Sequence, residues 1–301
     1  MRLNILLISF CLMSVPHLFF GQGQVLPAFE MSSSFCDARK ISIWLPDGYP
    51  RPGVKYAVLY MHDGQNLFET ATAYGHKEWQ VDETLTALIK DDRIVPCIVV
   101  GIWNTSKRFR EYAPARPFSV MLTEAQKGTE NAALYGGQPL SDAYLRFIVE
   151  ELKPWVDAHF EVDTSAKSTF IAGSSMGGLI SLYALCEYPQ VFGGAACIST
   201  HWPLRLSKNS PAFTHAMIEY LKPRISGLQG HKIYFDYGTE TLDAFYETHQ
   251  VRIDSLFRAE GFPESSFRSQ KFEGAAHNEA SWAERFHIPA LFLLGKKENQ
   301  E

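Results

Sequence analysis

Gly173-Ser174-Ser175-Met176-Gly177 separates an apolar run, Thr169-Phe170-Ile171-Ala172, from a helix-compatible segment, so Ser175 falls where a strand must turn sharply into a helix. Such a turn forces strained dihedrals at its centre, and flanking glycines let strand and helix approach without a Cβ clash. The serine hydroxyl is then held out above the sheet, the position of an activated nucleophile. Alone, Gly-x-Ser-x-Gly is a weak signal, because flexible loops carry it too. The surrounding elements decide its meaning.

Lys40 to Leu45 reads as a strand followed by the turn residues Pro46-Asp47-Gly48-Tyr49-Pro50. Tyr56 to Met61 and Ile94 to Ile102 are more continuous apolar runs, as expected of strands covered on both faces, with helical spacing from Trp79 to Ile89 between them. Leu140 to Phe160 repeats apolar residues at three- and four-residue intervals and leads into the strand before Ser175. Beyond it the pattern predicts a helix to about Tyr188, strands near Ala195–Ser199 and Lys232–Tyr237, a helix from about Asp243 to Glu260, a strand near Phe267–Phe272 and a final helix. Repeated βα units imply an α/β fold, a mostly parallel twisted sheet with helices on both faces. The stretches Asn104–Pro139 and His201–Gly230 interrupt this rhythm and are expected to form short lid insertions.

Arg2, the apolar stretch Leu3 to Val15, Pro16 and the small residues of Gly21-Gln22-Gly23 form the pattern of a secretory signal peptide. The expected organisation is therefore a leader over residues 1–23 and one domain over 24–301, exported to a periplasm or secreted, with no stable membrane insertion after cleavage. The formal charge of −5, or −6 without Arg2, leaves no footprint for nucleic acid. Cys36, Cys97, Cys186 and Cys197 lack metal-site spacing; most lie in apolar segments, where a thiol behaves as a small hydrophobe.

Serine is a poor nucleophile at neutral pH, so Ser175 needs a base. His277 follows the last predicted strand in Gly274-Ala275-Ala276-His277, a small-residue loop that can return an imidazole over the strand ends. An acid must hold that imidazole in the right tautomer, and it should leave the preceding strand. Asp243 is preferred there, because a short side chain at a helix entrance is fixed by local packing; Glu240 is the alternative. Two backbone donors are needed for an oxyanion. Met176 supplies one from the helix start, and Gln65, in His62-Asp63-Gly64-Gln65-Asn66, the other. The adjacent His62 and Asp63 have no second cluster at ligand spacing, so no metal or organic cofactor is expected.

His62-Asp63-Gly64-Gln65-Asn66, Gly101-Ile102-Trp103-Asn104 with Arg108 and Glu111-Tyr112, Gly173 to Gly178, Tyr237 to Asp243, and Ala276-His277-Asn278-Glu279 together resemble the putative esterase (esterase D-like) family of α/β-hydrolases. That family includes enterochelin-type, feruloyl and acetylxylan esterases and mycolyltransferases. The resemblance implies Ser175 as nucleophile, His277 as base, Asp243 or Glu240 as acid, and Gln65 with Met176 as oxyanion hole. Many relatives carry Ser-Pro after the strand that follows the nucleophile helix, whereas this chain has Ser199-Thr200-His201-Trp202.

Trp103, Asn104, Arg108 and Tyr112 in the first long loop, with His201 and Trp202 at the start of the second, are candidates for an aromatic, partly cationic substrate rim. The expected activity is hydrolysis of a carboxylic ester, small-molecule or glycan, through an acyl-enzyme. Acetyl or feruloyl groups on polysaccharide suit an aromatic rim. A siderophore trilactone, transfer to an acceptor alcohol, and a catalytically silent binding protein on the same fold are the alternatives.

Overall fold

The computed structural model describes residues 23–121, 137–204 and 209–296. The proposed leader, residues 1–23, lies outside them except for its last position, Gly23. Four short apolar runs set the centre of the molecule: β4 (Ala57–His62), β5 (Cys97–Ile102), β6 (Thr169–Ser174) and β7 (Gly194–Ile198) are buried at every position. With β8 (Lys232–Gly238) and β9 (Phe267–Phe272) they pair in parallel, in the order β5-β4-β6-β7-β8-β9. β3 (Arg39–Leu45) adds antiparallel to β5, and the short β1 (Gln24–Val25) and β2 (Phe29–Met31) pair antiparallel with β3.

Because side chains alternate across a strand, each buried strand feeds two cores. Val58, Tyr60, Ile98 and Val100 point into one, beneath the helices Met176–Glu187 and Ala212–Leu221. Leu59, Met61, Cys97 and Val99 point into the other, beneath Val81–Lys90 and His287–Leu294. The sheet is thus covered on both faces, as its continuous apolar strands predict. The helix after Ser175 is buried on all sides from Met176 to Cys186, which explains why it shows no polar stripe in the sequence.

The segment read as one helix from Leu140 to Phe160 is α-helical over Ser141–Arg146 and Lys153–His159, with a π turn at Phe147–Leu152 between them. Pro154 has no N–H and would crowd the carbonyl of Glu150 in a regular α-helix, so the wider turn falls just before it. The second interrupting stretch is not a bare loop: it contains the helix Ala212–Leu221, which packs against Ala115–Met121 of the first. The four cysteines of the described residues are free. No helix among those residues is long and apolar enough to cross a membrane.

Parallel pairing brings the C-terminal ends of β4 to β9 to one edge of the sheet, where ligands bind in open α/β folds. The loops leaving this edge carry Asp63–Gln65, Trp103–Asn104, Ser175, Ser199–Trp202, Asp243 and His277.

Candidate active site

Ser175 caps the helix Met176–Glu187 with φ 59° and ψ −119°, a conformation costly for a residue with a Cβ, on the order of 1–3 kcal/mol. Its backbone is held from three sides: its N–H donates to Ile198 O at 2.9 Å, and its carbonyl accepts from Gly178 at 3.1 Å and from His201 at 3.1 Å. A Cβ on Gly173 would lie 3.0 Å from Gly177 Cα, so the glycines permit the close approach of strand and helix that the motif predicts.

His277 stands in the loop after β9, its N–H donating to Thr241 Oγ1 at 2.8 Å. Its Nδ1 lies 2.6 Å from Asp243 Oδ1. The second oxygen of Asp243 accepts from Gly238 N–H and Ser199 Oγ, each at 2.6 Å, so the fully buried carboxylate is fixed at both ends. The rings of Trp282 and Tyr246 stand nearly perpendicular to the imidazole, 5.0 and 5.6 Å away. Glu240 is exposed, and only its backbone enters this cluster, accepting from Asp243 N–H. Of the two acids left open by the sequence, Asp243 reaches the imidazole.

Three further residues, not singled out in the sequence, complete the surroundings of Asp243. Ser199 Oγ accepts from Trp282 Nε1 at 3.0 Å and from Arg285 at 2.8 Å. Arg285 also donates to the buried Asp236 at 3.1 Å and lies 3.9 Å from Asp243. Burial pushes the Asp236 carboxyl above its ordinary range, and the Arg285 charge only partly offsets this. Ser199 could have been suspected as the first residue past a strand at the site edge; nothing local marks Arg285.

On the other side of Ser175, β4 ends in Asp63 at φ 57° and the chain makes a 3-10 turn over Gly64–Asn66. A Cβ on Gly64 would meet the Gly101 carbonyl carbon at 2.4 Å, so this turn can only press against β5 because the residue is glycine. Gln65 is half-buried, and its Oε1 accepts from Asn104 N–H at 3.3 Å. Glu279, the first residue of the helix after His277, accepts from Asn66 Nδ2 at 3.4 Å; burial, with Asp63 nearby, pushes its carboxyl upward.

The rim candidates fare differently. Arg108 grips Asp63 with both arms, Nε to Oδ1 and Nη2 to Oδ2 at 2.7 Å each, while Asn104 Nδ2 donates to the same carboxylate at 2.6 Å. Burial alone would raise the Asp63 carboxyl; the Arg108 charge and these hydrogen bonds hold it below its ordinary value instead. Tyr112 has no exposed surface and its hydroxyl accepts from Asp63 N–H, so it is a core residue and not a rim aromatic. Trp202 is likewise fully buried, donating to Gln250 Oε1 at 2.8 Å. His201 is buried too, its Nδ1 2.7 Å from Tyr246 Oη, and burial, with the charges of His277 and Arg108, pushes its imidazole down to about 3. Of the expected aromatic, partly cationic rim, Tyr112, His201 and Trp202 are therefore corrected to the interior, whereas Asn104 and Arg108 are partly exposed and bound to Asp63. Trp103 stays half-exposed, donating to Ser42 Oγ at 2.8 Å, at a cavity of about 300 Å³ also walled by Leu26, Gly64, Phe68 and Thr72.

A mostly parallel sheet with a strained serine at a strand-to-helix turn and a buried Asp–His pair on the same edge defines an α/β-hydrolase. The family described as putative esterase matches residues 32–289, and the chain belongs to it; it is a carboxylic ester hydrolase. The chain is 29% identical over 161 residues to ferri-bacillibactin esterase BesA of Bacillus subtilis, an alignment covering 51% of each protein. It is similar in structure to a ferulic acid esterase, with a TM-score of 0.65 at 17% identity over 91% of this chain and 98% of that one. It is also similar to the enterobactin esterase FES of Shigella flexneri, with a TM-score of 0.65 at 18% identity over 91% of this chain and 60% of that one.

Proposed function

We propose that this protein is a serine esterase that works through a covalent acyl-enzyme at Ser175. His277 takes the Ser175 proton as Oγ attacks the ester carbonyl and returns it to the departing alcohol; water then repeats the sequence on the acyl-enzyme. Asp243 holds the proton on Nδ1, which leaves Nε2 as the lone-pair face, and stabilises the imidazolium. The N–H groups of Met176 and Gln65 receive the developing oxyanion. The observation that carries this reading is the 2.6 Å contact between His277 Nδ1 and an Asp243 carboxylate already fixed by Gly238 and Ser199, on the same sheet edge as the strained Ser175.

The acyl donor in this proposal is an acetyl or feruloyl ester on a polysaccharide, met outside the cell after removal of the leader. The half-exposed Trp103, beside an open cavity, supplies a face on which a sugar or phenolic ring can stack. The neutralisation of Arg108 by Asp63 supports the same preference, since a strongly anionic ferric catecholate would gain little from a guanidinium already paired. A siderophore trilactone is the second reading, favoured by the likeness to BesA.

Acetylated xylan, methyl ferulate and a catecholate trilactone, assayed on wild type and Ser175→Ala, separate these readings. Ser175→Ala should lower kcat on p-nitrophenyl acetate by at least about 10⁴-fold and abolish labelling by a fluorophosphonate. Wild-type hydrolysis by the folded alanine variant would refute the nucleophile. Cell fractionation and the amino-terminal sequence of the mature protein test the export.

A further inference from the structure

The N–H of Gln65 belongs to a turn that is held from outside at several of its polar groups. Asp63 enters it at φ 57° and ψ 45°, a left-handed conformation that is unfavourable for a residue with a Cβ and persists only where neighbours fix it. The neighbours are close at hand. The Asp63 N–H donates to Tyr112 Oη at 3.3 Å, its carbonyl accepts from Asn66 N–H at 2.9 Å, and its carboxylate takes three donors from Arg108 and Asn104. Two residues on, the Gln65 carbonyl accepts from Thr72 Oγ1 at 2.7 Å and Gln65 Oε1 from Asn104 N–H at 3.3 Å. Asn104 thus grips the turn twice, by its side chain at Asp63 and by its backbone at Gln65.

The support behind this grip is shared with the other donor. Arg108 and Tyr112 lie four residues apart, on one face of the short helix Arg108–Tyr112, with the guanidinium 5.0 Å over the phenol ring. That helix packs against Met176–Glu187, whose first residue carries the second N–H. A Cβ on Gly177 would lie 3.4 Å from His62 Cβ and 3.7 Å from Asp63 Oδ2, so the Asp63 carboxylate is seated against the first turn of the same helix. An interior ion pair adds little stability over apolar packing, but a two-armed grip fixes geometry. Geometry is what an oxyanion hole needs, since its donors must already point to where charge will develop.

We propose that Arg108 and Asn104 are positioning residues of this esterase: by holding the Asp63 carboxylate against the helix Met176–Glu187, they set the direction of Gln65 N–H relative to Met176 N–H. The inference rests on the reading of Gln65 as an oxyanion donor. In this role neither side chain touches the ester; both act through Asp63, and Asn104 also through its backbone. A tilt of the Gly64–Gln65 peptide weakens the donated hydrogen bond most when the acyl oxygen is charged, so the loss falls on the transition state and not on the bound substrate.

The test uses the full-length protein with p-nitrophenyl acetate as substrate and trifluoroacetophenone as inhibitor. Ser175 Oγ adds to the ketone carbon, the Ser175 proton passes to His277 and the carbonyl electron pair becomes an oxyanion, so affinity for the ketone reads the hole without turnover. Arg108→Lys, which keeps the charge but not the two-armed grip, should lower kcat and ketone affinity together by about 10- to 30-fold and leave KM within about twofold. Asn104→Ala, which leaves the ion pair in place, should lose about three- to tenfold in both. Folded variants with wild-type kcat and ketone affinity, whatever their melting temperature, overturn the proposal, and so does a fall in kcat with ketone affinity unchanged. If Arg108→Lys does not fold, Asn104→Ala decides alone. Gln65→Pro deletes the N–H itself and keeps the two claims apart: a wild-type rate there removes the donor on which the inference depends. A crippled Gln65→Pro, with Gln65→Ala far less affected, beside fully active Arg108→Lys and Asn104→Ala removes the positioning role alone.

Discussion

Two buried carboxylates flank Ser175, and they are held in similar ways to opposite ends. Asp243 meets His277 at 2.6 Å and Asp63 meets Arg108 at 2.7 Å; each carboxylate takes additional donors, Gly238 and Ser199 in one case and Asn104 in the other. The difference is the partner's proton. Imidazole changes charge within the range where enzymes work, whereas guanidinium does not deprotonate in proteins. One pair can therefore switch a positive charge on during a reaction, and the other is a permanent clasp that joins the turn after β4 to the segment after β5. Distance and burial alone do not tell them apart; the chemistry of the cation does.

The most direct way to break this comparison is Asp243→Asn. Gly238 N–H and Ser199 Oγ both donate to Oδ2, so the amide oxygen must take that place and the NH₂ must face His277. Nδ1 is then forced to accept, the proton moves to Nε2, and the imidazole can no longer remove the Ser175 proton. A fall in kcat of about 10⁴-fold is expected, as in other triads given the wrong tautomer, with KM little changed. Glu240→Gln, altering an exposed side chain, should leave kcat/KM within about twofold. Equal losses in the two variants would return the acid assignment to Glu240.

Arg108→Ala strikes the other pair and should be read first in stability. It leaves Asp63 buried without its cation, at a cost of about 3–5 kcal/mol, visible as a lower urea midpoint at constant m. Arg108→Lys, which keeps charge but not the two-armed grip, should recover part of it. A rim cation would behave otherwise: KM would rise while the urea midpoint held.

The same contrast marks what the sequence could and could not disclose. Ser175, Asp243 and His277 were legible because strand ends fix them: parallel pairing carries every β-to-α loop to one edge, so order along the chain becomes proximity in space. The choice between Asp243 and Glu240 needed the structure, since three residues in a turn separate a buried side chain from an exposed one. Tyr112, His201 and Trp202 were expected at a rim and lie inside, and the pairing of Arg108 with Asp63 was not foreseen, for a related reason. They lie in long irregular segments, where no periodicity says which way a side chain faces, and their partners Asp63, Tyr246 and Gln250 are distant in sequence. Polar and aromatic residues in such loops are as ready to satisfy one another as to wait for a ligand.

Buried imidazoles extend the comparison to acid. His62 and His201 are both pushed down to about 3, in each case first by burial; Arg108 adds to this at both, and His277 at His201. Below about pH 6.5 an unfolded chain protonates these groups while the folded one does not until about pH 3. Their stabilisation is whole above that window and is lost as pH falls through it, by about 1.4 kcal/mol per pH unit for each imidazole. Urea midpoints measured from pH 7 to pH 5 should drop accordingly, and His201→Asn should show the shallower decline. Parallel declines would mean that His201 titrates normally in the folded protein.

Ser199→Ala is the finest probe, because it leaves both carboxylates and both cations in place. Asp243 would lose one donor to Oδ2 while Gly238 still holds that oxygen, and Trp282 Nε1 would lose its acceptor. Arg285 would keep Asp236 and, at 3.9 Å, the freed Asp243 oxygen lies closest to it. Closer approach of Arg285 would draw charge from the bond to His277 and make the imidazole a weaker base. The expected result is a fall in kcat of about tenfold, corresponding to about 1.4 kcal/mol, with KM unchanged and the acidic limb of the kcat–pH profile shifted to lower pH. A variant with reduced thermal stability but an unmoved profile would make Ser199 a packing residue, and the acid would then owe its orientation to Gly238 alone.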